Sequence, residues 1–152
     1  MAETTATLQD KELAKFLRSV EKRSRQITQN RRQYVDALSA IVFKDIQDHF
    51  QKQEGFDGSW VGWSEAYAES QAKRGRSDSN NILKDTGRLR NGFQPTNYRT
   101  SRKGILWFNP VEYSAAHDEG RGNLPQRSFM WISSKALEKM TEATLDFILK
   151  GA

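Results

Sequence analysis

Cysteine is absent from this chain, and only three prolines and two histidines occur among its 152 residues. With no cysteine there is no disulfide framework, no thiolate metal site and no thiol nucleophile, and the redox state of the compartment is immaterial to the fold. The apolar runs are far shorter than the ~18 residues that a membrane span requires. The first residues, MAETTATLQDKE, are acidic and polar. They lack the basic segment, apolar stretch and small-residue cleavage site of a secretory signal, and so read as cytosolic. The sequence also has no glycine-rich phosphate loop, no nucleophile elbow around a serine and no histidine pair at metal-ligand spacing. Enzymatic, metal and cofactor chemistry therefore have no positive support.

What the chain does carry is positive charge. It has 24 Lys and Arg against 19 Asp and Glu, a net +5, and the excess is clustered. One group is Lys11, Lys15, Arg18, Lys22, Arg23, Arg25, Arg31 and Arg32; a second is Lys73, Arg74 and Arg76; a third is Arg88, Arg90, Arg99, Arg102 and Lys103. Such patches attract phosphate or an acidic protein face. The length suits one domain, residues 1–152, able to bury about two-thirds of its surface in a single core.

The part from 1 to 54 reads as helical. Leu13, Phe16, Leu17 and Val20 recur at three- and four-residue spacing between Leu8 and Arg25, the pattern of an amphipathic helix. Tyr34, Leu38, Ile41, Val42, Ile46 and Phe50 repeat it in a second helix, continuous with the first or nearly so, which Gly55 is positioned to stop. Each helix carries one apolar stripe, so each must lie on something else.

Residues 55–81 form a long aromatic loop. Trp60 and Trp63 are too large to leave in water and should pin it to the core. Ser64 is placed to cap a short helix reaching about Arg74, with Gly75 ending it. The tract RGRSDSNN, from Arg74 to Asn81, has almost nothing to bury and is expected to be mobile.

In the part from 82 to 152, Thr86 is placed to cap a turn that contains Leu89 and ends at Gly92. Phe93 to Thr100 and Lys103 to Asn109 read as a β-hairpin bounded by Pro110. Val111 to Gly122 reads as a helical turn or two closed by Gly120, and Pro125 to Ser133 as another extended run. A last helix from about Ser134 presents Leu137, Met140, Leu145, Ile148 and Leu149, with Thr144 and Phe147 at its edges. Helices, then strands, then a helix give an α+β fold: a small antiparallel sheet with the closing helix packed on it.

Few residues have the makings of a chemical site. His117, Asp118 and Glu119 have catalytic side chains, but neighbours on a helix diverge by about 100°, and a structural or surface histidine is the stronger reading. His49, beside Phe50, is more firmly structural. Lys15, Arg18, Lys22 and Arg25 offer a basic helix face that could hold a nucleic-acid backbone without sequence preference; a solvated surface is the stronger reading there too. Pro125, Arg127 and Phe129 alternate, which puts Arg127 on the side of the core residue Phe129. A buried arginine needs a carboxylate or carbonyl partner, in this chain or a neighbouring one.

Four segments in order carry a resemblance: FDGSWVGWS (Phe56–Ser64), ILKDTGRLRNGF (Ile82–Phe93), YSAAHDEG (Tyr113–Gly120) and PQRSFMWIS (Pro125–Ser133). Together they resemble the phage virion morphogenesis family, the tail-completion and head-tail neck proteins of Mu-like and related tailed phages. In that family a Gly-x-x-Trp element precedes Leu-x-x-Thr-Gly-x-Leu, then Tyr-x-x-x-His-x-x-Gly, then Pro-x-Arg-x-Phe and a closing helix. The matching positions are Gly58 and Trp60, one residue closer together than in the pattern, then Leu83, Thr86, Gly87 and Leu89. Tyr113, His117 and Gly120, and Pro125, Arg127 and Phe129, complete them; Trp63 is bulkier than the family's usual residue.

The resemblance implies a non-enzymatic structural protein that joins tail to head, forming rings, often sixfold, around the DNA channel. Its partners would be further copies of itself, as a hexamer, the neck or connector and tail-tube proteins, and DNA passing through, with no membrane and no cofactor. It would reside in the virion, and in the host cytoplasm during assembly. The resemblance gives His117 the task of shaping the turn before Pro125. The physics agrees in one respect: an exposed hairpin edge is a natural place for another copy to pair, and heterologous contacts close into rings when the rotation permits. The 55–81 loop and the strands are the expected contact regions, so deleting Ser77 to Asn81 should spare the fold and impair assembly.

Overall fold

The computed structural model describes residues 2–75 and 82–150. The Ser77–Asn81 segment, Arg76 and most of the tract expected to be mobile lie outside the described residues. Among those described, the chain forms six helices and two antiparallel two-stranded sheets, the mixed class read from the sequence.

The helices α1 (Ala2–Gln29) and α2 (Arg31–Lys52) are separated by Asn30 alone. The Asn30 carbonyl still accepts from the Tyr34 amide at 3.1 Å. The apolar stripe of α2 is the spine of the molecule, with Val35, Leu38, Val42, Ile46 and Phe50 all buried. The stripe of α1 behaves otherwise. Leu13, Phe16, Leu17 and Val20 are 47–63% exposed, so the described chain leaves this stripe uncovered, although the helix touches both α2 and the last helix of the chain. The accessible surface, 11,235 Å², exceeds the roughly 7,900 Å² of a compact chain of this mass, in keeping with a long helix outside the packed body.

Gln53, and not Gly55, stops α2. Gln53 takes a left-handed conformation (φ 56°) and its amide bonds back to the His49 carbonyl. A side chain there costs about 1–2 kcal/mol, offset by two ties: its carbonyl accepts from the Trp60 amide at 2.7 Å and its Oε1 from the Ile82 amide at 3.1 Å. Gly55 serves a close approach, since a Cβ there would lie 2.6 Å from Ser128 Oγ. It sits in β1 (Glu54–Gly55), which pairs with β2 (Gly58–Ser59) in a short hairpin that the sequence did not announce.

The capping residues act as read. Ser64 Oγ accepts from the Tyr67 amide at the start of α3 (Glu65–Lys73), and Gly75 (φ 72°) follows its end. Thr86 Oγ1 accepts from the Arg88 amide, with Gly87 (φ 73°) leading into α4 (Arg88–Gly92). The second sheet pairs β3 (Tyr98–Ser101) with β4 (Gly104–Trp107). It is shorter than the expected hairpin because the amide of Asn97 bonds to Gln94 and its side chain to Gly92, curling residues 93–97 into a turn. The sheet leans on α2 through Trp107 Nε1 to Ser39 Oγ (2.9 Å) and Tyr98 OH to Asp36 (2.7 Å).

After α5 (Ser114–Glu119), closed by Gly120 (φ 71°) as expected, the chain reaches α6 (Ser134–Lys150). This helix runs antiparallel to α2, its principal partner in place of the sheet. Ser133 bonds Asp45 at one end; at the other, Tyr34 bonds Thr144 and stacks on Phe147 at 4.6 Å. The face it buries is rotated from the expected one. Ala136 and Phe147 are buried and Met140 and Thr144 half-buried, whereas Leu137, Leu145, Ile148 and Leu149 are 46–63% exposed. Small Ala136 permits close approach to α2, and the ring pair at Phe147 fixes the rotation.

Candidate functional site

The segment 125–133 forms no strand. Its backbone groups are satisfied by side chains from four directions, which is why no ladder forms. The amides of Phe129 and Met130 donate to Asp118 Oδ1 (2.7 and 2.9 Å), and the Ser133 amide donates to Asp45 (2.8 Å). Trp60 Nε1 donates to the Ser128 carbonyl (2.9 Å), and His49 Nδ1 donates to the Phe129 carbonyl (3.1 Å) while its ring stacks on Trp131 at 4.1 Å. The Arg127 amide bonds the His117 carbonyl at 2.9 Å. Phe129, fully buried, then meets Phe50 at 5.0 Å between ring centres.

In front of this segment lies a cleft of about 790 Å³. Trp63 and Tyr67, packed edge to face at 5.3 Å, form one bank. Tyr113, with the Arg88 guanidinium over its ring at 5.9 Å, is a third aromatic in its lining. Leu83, held at φ 59°, and Leu89 line the cleft as well.

Arg127 supplies its cation. The side chain is buried, with Nε donating to the Val61 carbonyl (2.9 Å) and Nη2 to the Gly62 carbonyl (3.0 Å). The partners are therefore carbonyls of the same chain, and the strand-like alternation that set Arg127 beside Phe129 is replaced by these two bonds. Burial lowers the Arg127 pKa, with Tyr67 opposing the shift.

His117 stands behind Arg127. Burial first, and the Arg127 charge second, lower its pKa below 6.5, so the imidazole is neutral near pH 7. Its Nδ1 is buried without a hydrogen-bond partner, and the ring meets Tyr113 edge to face at 5.9 Å.

The three side chains singled out for chemistry are divided among separate tasks. Asp118 holds residues 129 and 130, Glu119 pairs with Arg121 at 2.7 Å in solvent, and His117 faces Arg127. Two hydroxyls that line the cleft, Ser64 and Thr86, accept backbone amides at the starts of α3 and α4. Among the described residues no group of three His, Cys, Asp or Glu is arranged to hold a metal ion, and no helix is long and apolar enough to cross a membrane.

The structure brings most of the motif residues to one place. Trp63, Leu83, Thr86, Gly87, Leu89, Tyr113, His117, Pro125 and Arg127 line the cleft. Trp60 and Phe129 support it from the core, and Gly120 leaves room for the Gln126 backbone, whose amide nitrogen would lie 2.7 Å from a Cβ at this position. Gly58 (φ 126°) stands apart in β2 with open space around it. Lys15, Arg18, Lys22 and Arg25 are exposed on α1, Arg25 pairing with Glu21 at 2.6 Å. The third basic cluster is dispersed: Arg88 covers Tyr113, Arg90 bonds Gln47 and Arg99 lies over Phe108.

Three contributors escaped the sequence reading: Gln53, the Asp45–Ser133 latch and Asn109, which bonds the Leu89 carbonyl and the Val111 amide. His49 carried a signal, since it stands three residues after Ile46 and seven after Val42 on the buried stripe of α2. No family model matches the chain, and comparison with curated proteins and solved structures finds no significant similarity.

Proposed function

We propose that this chain is a structural subunit of a tailed-phage virion, a tail-completion or head-tail neck component that assembles as a ring, six copies in the expected form, and joins tail to head. The observation that carries the reading is the meeting of the four motif segments at one cleft, where the titratable side chains hold loops together. A concave site of that kind, with an aromatic lining and a buried cation, suits an anchoring side chain of a neighbouring protein. Val61 and Tyr67 line the cleft and are exposed, and the exposed Phe56 and Leu106 of β4 add further apolar contact surface. Its neighbours are further copies, the neck and tail-tube proteins, and DNA passing through the ring.

The test is genetic and visual. Electron microscopy of particles from a phage lacking this protein should show unjoined heads and tails; mature infectious virus without it would refute the role.

The exposed basic face of α1 favours a second reading, sequence-independent nucleic-acid binding through Lys15, Arg18, Lys22 and Arg25. There, log affinity for duplex DNA falls steeply with log salt, and reversal of Arg18 and Lys22 flattens the slope.

A further inference from the structure

Arg127 has more donors than the fold uses. A guanidinium carries five N–H donors; here Nε and Nη2 each spend one, on the Val61 and Gly62 carbonyls. Nη1 has no hydrogen-bond partner among the described residues and is not sealed from solvent. The edge shared by Nη1 and Nη2 therefore keeps the planar fork that matches a carboxylate. The charge is uncompensated as well. Among the described residues no carboxylate pairs with Arg127 or with Arg88, the second cation of the cleft. Asp85, the one carboxylate in the lining, is already engaged. His117, neutral near pH 7, adds a buried Nδ1 with no hydrogen-bond partner. Aromatic surface adjoins this cation. Arg127 grips the two residues before Trp63, Tyr67 acts on its charge, and Tyr113 meets His117 edge to face at 5.9 Å.

The geometry points to a C-terminal carboxylate of a neighbouring protein, on a terminal residue with a large apolar side chain, as the ligand of this cleft. The carboxylate takes the free edge of Arg127, and the side chain lies against Trp63, Tyr67 and Tyr113. A chain terminus is selected because it carries an anion and an apolar side chain on one Cα, matching a cation with aromatic rings beside it. An internal Asp or Glu brings its carboxylate without an apolar group large enough to cover those rings. Duplex DNA presents its phosphates on a backbone too broad to reach a side chain only 8% exposed. This deepens the docking role given to the cleft and rests on that reading; it does not need the partner to be a virion protein.

The full-length protein is titrated with N-acetyl-L-phenylalanine and followed by NMR. A dissociation constant of about 1 mM is expected for a ligand of this size, with the largest shifts at Trp63, Tyr67, Tyr113 and His117. N-acetyl-L-phenylalaninamide keeps the ring and loses the charge, and should bind at least about tenfold more weakly. The α-methylamide of N-acetyl-L-aspartate and inorganic phosphate, which keep a charge and lack the ring, should be weaker by a similar factor. Arg127→Met, its fold checked by circular dichroism, should lose the preference for acid over amide; if it does not fold, the comparison on the wild type decides alone. Equal binding of acid and amide, equal binding of the aspartate derivative or phosphate, shifts centred away from the cleft, or no binding by about 20 mM acid overturns the proposal. Each of these leaves the assembly role standing, since that is read from particle mass. Binding by a chain that never assembles keeps the site and removes the assembly role.

Discussion

Arg127 binds the Val61 and Gly62 carbonyls from a position 8% exposed, so it ties the loop before α3 to the segment before α6. Replacing it by Met leaves two carbonyls without their donor. The expected cost is about 2–3 kcal/mol in urea unfolding, with Arg127→Lys recovering less than half, because an ammonium lacks the planar fork that reaches both acceptors. Equal stability of Arg127→Met and the wild type would show that these bonds contribute nothing. The need for a partner was legible from the sequence; its identity was not, because every residue carries a carbonyl and only the fold selects two of them.

His117 gives a pH dependence whose sign follows from its surroundings. Its pKa in the folded chain lies below 6.5 through burial and Arg127, so the unfolded chain takes up the proton first as pH falls. Above about 6.5 the imidazole is neutral in both states and the stability is fully present; it declines as pH drops through the folded-state value. Urea midpoints compared at pH 7.5 and pH 5 should therefore fall less for His117→Gln than for the wild type. Identical slopes would locate the titrating group elsewhere.

Among the elements, those whose ends depend on local chemistry were readable. Ser64, Gly75, Thr86 and Gly120 act within one or two turns of themselves, and each performs the capping or turn role its residue type suggests. Segment 125–133, read as an extended run, joins no sheet because its partners, Asp118, Asp45, His49 and Trp60, arrive from distant parts of the chain. The buried face of α6 was misread because its apolar residues cover more than half the circumference, and periodicity alone does not say which part meets α2. The structure separates the two faces. Phe147→Ala should cost about 3–5 kcal/mol, whereas Leu149→Ala should stay within about 0.5 kcal/mol of the wild type, as read by thermal or urea unfolding of each variant. The reverse order would restore the face read from periodicity.

For the whole molecule, the mixed fold class followed from the order of the amphipathic segments, while the openness of the outline did not. An apolar stripe announces that a partner exists and leaves open whether that partner is in the same chain. The α2 stripe is covered from within; the α1 stripe and the outer face of α6 are not. The proposed assembly role accounts for both exposures together, and for a cleft whose side chains hold loops in place. The most direct measurement is electron microscopy of the purified protein with its mass determined on the same preparation. Closed rings whose mass is a whole multiple of 17.5 kDa are the expected result, and separate 17.5 kDa chains at every concentration would contradict the assembly role.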